Sequence, residues 1–332
     1  MTSFMKPLQI AALASAFLFF AGTAVAGDGY LSQPAVQQFI DRMVAKHDFD
    51  RAKLEALFAG AEHRQSIIDR MNHPAEALPW YRYRGIFLTA KRTAGGVDFW
   101  HDHQATLERA EKVYGVPPAI VTSIIGVESY YGGNHGSTRV IDALATLGFD
   151  YPPRADFFRS ELVQYLLLSR EQQFDAATVT GSYAGAMGAP QFISSSYRHY
   201  AVDFSGDGKS DLWDNWADII GSIANYFAEN GWQRGGMVAV PATLNAGADA
   251  DAIKPMKSTS AGALRNAGFE FSDKVADDAE VRLVALDTRD GKAYWVGLHN
   301  FDVIMTYNHS PLYAMAVYQL SDAIAQERHD DR

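Results

Sequence analysis

Glu128 is the residue with the clearest chemical prospects. It ends the run Pro117-Pro118-Ala119-Ile120-Val121-Thr122-Ser123-Ile124-Ile125-Gly126-Val127-Glu128, ahead of Ser129-Tyr130-Tyr131-Gly132-Gly133. Prolines at the front suit a first helical turn, and the glycine pair suits a stop. Three and four positions before Glu128 stand Ile125 and Ile124, and seven before it stands Val121. The spacing therefore puts the carboxyl on the apolar stripe of a helix, facing inward. Burial and the negative end of a helix dipole both favour the protonated carboxyl. A carboxyl that keeps its proton near neutral pH is a general acid. The plainer reading is a helix-end glutamate that bends out into water.

A second set of oxygen donors lies at Asp203-Phe-Ser205-Gly-Asp207-Gly208-Lys209-Ser-Asp211-Leu-Trp-Asp214. Oxygen side chains at loop positions one, three and five, glycine at six and a carboxylate at twelve match an EF-hand calcium loop. Lys209, at seven, would offer only its backbone carbonyl. Asp at twelve reaches less far than Glu, so Asp214 or the later Asp218 is expected to close the site. The expected ion is a structural Ca2+; the alternative is a solvated Asp/Gly turn. A third motif, Gly181-Ser182-Tyr-Ala-Gly185-Ala-Met-Gly188-Ala-Pro-Gln191-Phe192, has small residues that let a ligand approach backbone, with Ser182 and Gln191 as its polar side chains. It is neither a nucleophile elbow nor a phosphate loop. His101 and His103 diverge on a helix, and no His-Glu-x-x-His or cysteine set points to catalytic zinc.

Amphipathic spacing around Val36, Phe39, Ile40 and Met43, then Leu54, Leu57 and Phe58, predicts one or two helices over 34–60. The aromatic-basic cluster Trp80 to Arg84 reads as an interruption. Helices are predicted over 99–114, 157–174, from Ser194, over 216–230 and over 311–325. Met237 to Val240, Val281 to Leu286 and Ala293 to Val296 read as strands, the last after an Asp290-Gly291 turn. Residues 301–307 are apolar and fit either type. The fold class is mainly α, in the α+β sense, with a small β subdomain over 237–300. The rest divides into a helical region over 27–236, including the acidic loop at 203–218, and a C-terminal segment over 301–332.

The chain begins Met1 to Lys6, then an apolar run from Leu8 to Phe20, then Ala24-Val25-Ala26. That pattern is a signal peptide over 1–26, cut after Ala26, and it implies a periplasmic protein. No cysteine is present, which excludes disulfides and a cysteine-linked lipid anchor. A net charge of −10 argues against nucleic-acid binding, which wants a basic face.

Taken in order, Gly126-Val-Glu-Ser-Tyr-Tyr-Gly132, Arg139-Val-Ile-Asp-Ala-Leu-Ala-Thr-Leu147, Gly181-Ser-Tyr-Ala-Gly-Ala-Met-Gly188, Gln191-Phe192, Ala201-Val-Asp-Phe-Ser-Gly-Asp-Gly208 and Tyr307-Asn-His-Ser310 resemble the membrane-bound lytic murein transglycosylase B family, across roughly residues 35–322. The resemblance implies a lysozyme-like helical catalytic core, a flanking helical segment and a small β subdomain. It implies non-hydrolytic cleavage of the β-1,4 MurNAc-GlcNAc bond of peptidoglycan, leaving 1,6-anhydromuramoyl ends. By the resemblance, Glu128 is the sole catalytic acid/base, and Ser182 and Gln191 line its cleft. Tyr83, Arg154, Tyr226, Tyr307, Asn308 and Tyr313 match further substrate-binding positions. Asp203, Ser205, Asp207, Lys209, Asp214 and Asp218 supply the candidate calcium site. Implied partners are peptidoglycan glycan strands and cell-wall synthesis or hydrolysis proteins. The family's lipid anchor is not carried over, since the cysteine is missing. Two rivals follow from the residues: a hydrolytic muramidase pairing Glu128 with Asp142 or Asp156, and a non-catalytic, calcium-braced peptidoglycan-binding protein.

Overall fold

Apolar periodicity becomes helix along most of this chain. A computed structural model describes residues 29–73, 77–249 and 251–330; the segment 1–26, expected to be a signal peptide, lies outside the described residues. Helix α1 (Pro34–His47) buries Val36, Phe39, Ile40 and Met43, the expected row. Helix α2 (Arg51–Ala59) starts where the Asp50 carboxylate accepts the Lys53 N–H, a side-chain cap. Helix α3 (Gln65–Asn72) follows. The Trp80 cluster does not interrupt: it is helix α4 (Trp80–Phe87), led in by extended Pro79. The single helix expected over 99–114 is two, α5 (Ala90–Asp102) and α6 (Gln104–Tyr114). The break is His103, whose ring packs 4.4 Å from Phe99 and 5.3 Å from Trp216. That packing is tertiary, so no local pattern announced it.

Helix α7 (Pro118–Ser129) carries Glu128 and is buried continuously from Ile120 to Gly126. It packs against α5, α6, α11 (Trp216–Glu229) and the last helix, α14 (Pro311–Asp330). Its stop is not the glycine pair. Tyr130 and Tyr131 take the left-handed conformation, φ 55° and 59°, and both N–H groups donate to the Ile125 carbonyl. Gly126 permits this: a Cβ there would lie 2.5 Å from the Tyr131 hydroxyl. The helix therefore ends one residue after Glu128.

Strand β1 (Thr138–Arg139) pairs antiparallel with β2 (Thr180–Gly181). Between them run α8 (Val140–Phe149) and α9 (Ala155–Gln172), which pack together. Helix α10 (Ser194–Tyr200), the acidic loop and α11 then form a helix-loop-helix.

The sheet holds β3 (Ala239–Leu244), β4 (Ser258–Ser260), β5 (Phe269–Phe271), β6 (Glu280–Thr288) and β7 (Gly291–Gly297), all antiparallel, in the order β4-β6-β7-β3-β5. Strands β4 and β5 and the short helix α12 (Ala261–Asn266) were not expected; each is too brief to show periodicity. Pro241 is tolerated because β5 pairs only with 242–244, so its missing N–H leaves no gap on that side. Side-chain alternation splits β6 between two cores. Val281 and Leu283 join a small core with Leu264 and Phe269, while Val284 and Leu286 join the helical body. Arg282 points the second way and donates to Asp302 of helix α13 (His299–Tyr307) at 2.7 Å. The ambiguous 301–307 stretch is thus helical. Among the described residues, no helix is long and apolar enough to cross a membrane.

Candidate active site

Glu128 lines a cavity of about 270 Å³ with Ser182, Gln191, Arg70, Asn134 and Tyr183. It is half-buried, so neither plain expectation is fully met: it leaves the apolar stripe without reaching open solvent. The Tyr313 hydroxyl, from the first turn of α14, donates to Glu128 Oε1. Tyr307 lies nearly parallel to Tyr313, with rings 6.4 Å apart and 12° between planes. Its own hydroxyl donates to the Pro190 carbonyl at 2.6 Å, tying α13 to the Gly-rich loop. Burial, then the nearby Glu128 charge, pushes both phenols well above their ordinary range. Tyr83, buried on α4, stacks against Trp80 and tilts onto Phe87 at 5.2 Å.

The Gly-rich loop is folded by Ser182. Its hydroxyl accepts the N–H groups of Ala184 and Ala186, at 3.2 and 3.0 Å, while its own N–H donates to the Ala186 carbonyl. Gly181 is required there, since a Cβ would sit 2.2 Å from the Ala186 oxygen. Gln191 takes φ 51°, and its amide nitrogen donates to the carbonyls of His135 and Gly188. The two loops that flank Glu128 are thereby pinned together.

Other expected residues stand further back. Tyr226 is buried in an aromatic cluster, 4.7 Å from Tyr307 and 4.5 Å from Tyr200, and its hydroxyl donates to the Thr306 carbonyl. Burial raises its phenol. It supports Tyr307 rather than lining the Glu128 cavity. Arg154 is exposed, lies over the Phe157 ring at 4.4 Å, and does not line that cavity. Asn308 follows α13 immediately, and its carbonyl accepts the Ser310 N–H.

Three cavity residues escaped sequence reasoning. Arg70 is a lone arginine on an exposed helix and has no local signature. Asn134 reads as an ordinary turn residue beside Gly133. Tyr183 sat inside a quoted motif but was passed over for its polar neighbours. Arg70 is held over the Tyr183 ring, 5.8 Å from its centroid.

The candidate second carboxylates are elsewhere. Asp142 is fully buried in the first turn of α8, where Arg139 grips both its oxygens at 2.8 and 3.0 Å. Arg64 and the Glu62 N–H also reach it. Asp156 is exposed and pairs with Arg159. Among the described residues, Glu128 is the one carboxylate lining its cavity.

In the acidic loop, carboxylate oxygens of Asp203, Asp207 and Asp218 lie within 4.8 Å of one another. Three hard oxygens so close suit a calcium ion. Asp218 is fully buried at the start of α11 and accepts the N–H groups of Ser205 and Asp211. Asp203 gathers N–H donors from Gly206, Asp207 and Gly208, and the Ser205 hydroxyl. Those bonds, the Gly208 one foremost, hold its carboxyl below the usual range. Asp207 accepts the Lys209 N–H. Asp214 is exposed and outside the cluster, because the chain has already turned toward α11; Asp218, in the first turn of α11, is the carboxylate that reaches back under the loop.

The sequence matches the family described as "Transglycosylase SLT domain" over residues 32–322. It is 44% identical over 312 residues to membrane-bound lytic murein transglycosylase B of Escherichia coli strain K12, covering 91% of this chain and 86% of that one. The crystal structure of soluble lytic transglycosylase SltB1 from Pseudomonas aeruginosa is 49% identical, with a TM-score of 0.84, over 89% of this chain and all (100%) of that one. The Escherichia coli lytic transglycosylase Slt35, solved in complex with calcium, is 44% identical with a TM-score of 0.84, over 90% of this chain and 95% of that one. The match runs through the helical body, the sheet and both loops beside Glu128, and the chain belongs to the transglycosylase SLT family.

Proposed function

We propose that this lytic transglycosylase cuts the β-1,4 bond between N-acetylmuramic acid and N-acetylglucosamine in peptidoglycan, with Glu128 as its single acid/base. The protonated carboxyl gives its proton to the bridging oxygen, and the C1–O bond breaks. N-acetylglucosamine leaves with a new hydroxyl. The resulting carboxylate then takes the proton of the muramoyl 6-hydroxyl, and that oxygen bonds to C1. Atoms balance without water, and Glu128 ends protonated. Tyr313 orients the carboxyl through both halves. Ser182, Gln191, Tyr83, Tyr307 and Asn308 are the proposed substrate contacts beside it, with Tyr226 and Arg154 further out.

One observation carries this reading above the hydrolytic one. A two-carboxylate glycosidase needs its second group about 5–9.5 Å from the first. Asp142 is occupied by two arginines and Asp156 lies on the outer surface, so neither is available to activate water. The deciding experiment is mass spectrometry of purified peptidoglycan digested by the protein and by Glu128→Gln. The expected products are lighter by one water than hydrolytic ones, and absent with the variant. Reducing-end products would reject the mechanism.

The same reading places the enzyme in the periplasm, with the leader cut after Ala26. It gives the 203–218 loop a structural calcium held by Asp203, Asp207 and Asp218. The acidic cluster and the calcium complex of Slt35 support that assignment. Such an ion would fasten α10 to α11 and take no part in the chemistry. It also divides the mature chain into a helical catalytic region over 27–236, the sheet region over 237–300 and a returning segment over 301–332.

A further inference from the structure

A cavity of about 960 Å³ lies on the far side of α4 and α14, sharing no lining residue with the Glu128 cavity. Its floor is Trp80, whose ring stacks on Tyr83 at 6.3 Å. Tyr81 stands 40% exposed at one edge. Half-buried Trp295 of β7 faces it from the sheet, and the tip of the β6–β7 hairpin, Arg289-Asp290, overhangs the opening.

The polar groups here are unusually idle. Arg84, Arg289, Asp290 and Gln319 make no side-chain hydrogen bond or ion pair with any described residue. Two arginines and two aspartates, Asp322 being the second, leave the cavity close to neutral. A polyanion or a polycation gains little from such a lining. A neutral ligand rich in hydroxyl and amide groups gains more. Flat carboxylate, amide and guanidinium heads can each bond two neighbouring ligand groups, and aromatic faces cover C–H surface. The volume lies at the upper end of ligand pockets, about 300–1,000 Å³.

We propose that this cavity is a second saccharide site, taking a neutral amino-sugar oligosaccharide distinct from the strand being cut. It would hold the enzyme on the wall, with the hairpin of the small sheet as its outer lip. The choice of ligand rests on the peptidoglycan reading above.

The test is calorimetric titration of Glu128→Gln protein with the β-1,4 tetramer of N-acetylglucosamine. Two equivalents are expected. Adding Tyr81→Ala and Arg289→Ala, both surface changes, should leave one equivalent and the same melting temperature. One equivalent before those changes, or two after them, would overturn the proposal. In the otherwise wild-type enzyme, the same pair should leave turnover of short soluble glycan unchanged but weaken co-sedimentation with intact peptidoglycan roughly tenfold or more, a drop of about 1.4 kcal/mol. An equal fall in turnover would assign these residues to the cleft and reject the second site. A wild type that yields no product would end the catalytic reading, and the binding stoichiometry would still judge the cavity.

Discussion

The Tyr313 hydroxyl meets Glu128 from 185 positions further along the chain. A hydrogen bond to a charged group contributes about 1.5–3 kcal/mol. Tyr313→Phe should therefore lower kcat roughly 10–100-fold, the rate equivalent of that energy. KM should change little, since the phenol touches the acid and not the sugar's binding contacts. Steady-state kinetics on soluble glycan checks this. An unchanged kcat would remove Tyr313 from the mechanism.

Asp142 tests the rival chemistry. Breaking a buried ion pair removes about 3–5 kcal/mol, and the partial exposure of Arg64 and Arg139 puts this case at the lower end. Asp142→Asn should lower the melting temperature strongly. Its products, from the fraction that folds, should remain anhydro sugars. A stable variant with altered products would make Asp142 catalytic.

The acidic loop predicts a ligand-linked stability. A metal bound only by the native state raises the melting temperature with its concentration. Asp203→Ala with Asp207→Ala should abolish the calcium dependence, while Asp214→Asn should preserve it. Asp218→Asn should destabilise the protein even without calcium, because one of the two loop N–H groups loses its acceptor oxygen to an NH2 donor. Calorimetric melts with calcium and with chelator separate these cases.

Arg70 is the one cation lining the Glu128 cavity among the described residues. Peptidoglycan strands carry carboxylates, on the peptide stems or, once stripped of them, on the muramoyl lactyl groups; oligomers of N-acetylglucosamine carry none. Arg70→Ala should raise KM about fivefold on the former, and change affinity for the latter little, for a lost exposed charge contact of about 1 kcal/mol. Equal losses on both ligands would reduce Arg70 to a structural neighbour of Tyr183.

The buried phenols predict alkaline weakness. An unfolded tyrosine ionises near about pH 10. In the folded chain, burial and then the Glu128 charge keep Tyr307 and Tyr313 protonated beyond that. The native state then holds more protons than the unfolded one, so stability is full below about pH 10 and falls as pH climbs past it. Urea midpoints at pH 8, 10 and 11 should decline only over the upper interval.

Much of this was legible in sequence because the signals are local. Helix α7 and its glutamate follow from apolar spacing, and the acidic loop follows from alternating oxygen donors and glycines. The misreadings share a cause too. His103 breaks a helix because Phe99 and Trp216 receive its ring, and α7 stops on two tyrosines because Gly126 makes room for one of them. Asp218 reaches the loop only through the tertiary turn into α11. Arg70 enters the site from a helix more than fifty positions before Glu128, a relation that no spacing rule encodes.

The order of the parts along the chain has a temporal consequence. Glu128 is made early, while the tyrosine that bonds to it stands on the final helix. A nascent or clipped chain ending before Pro311 holds the acid but lacks its orienting partner and one wall of α7. Such a fragment is disarmed by its own incompleteness.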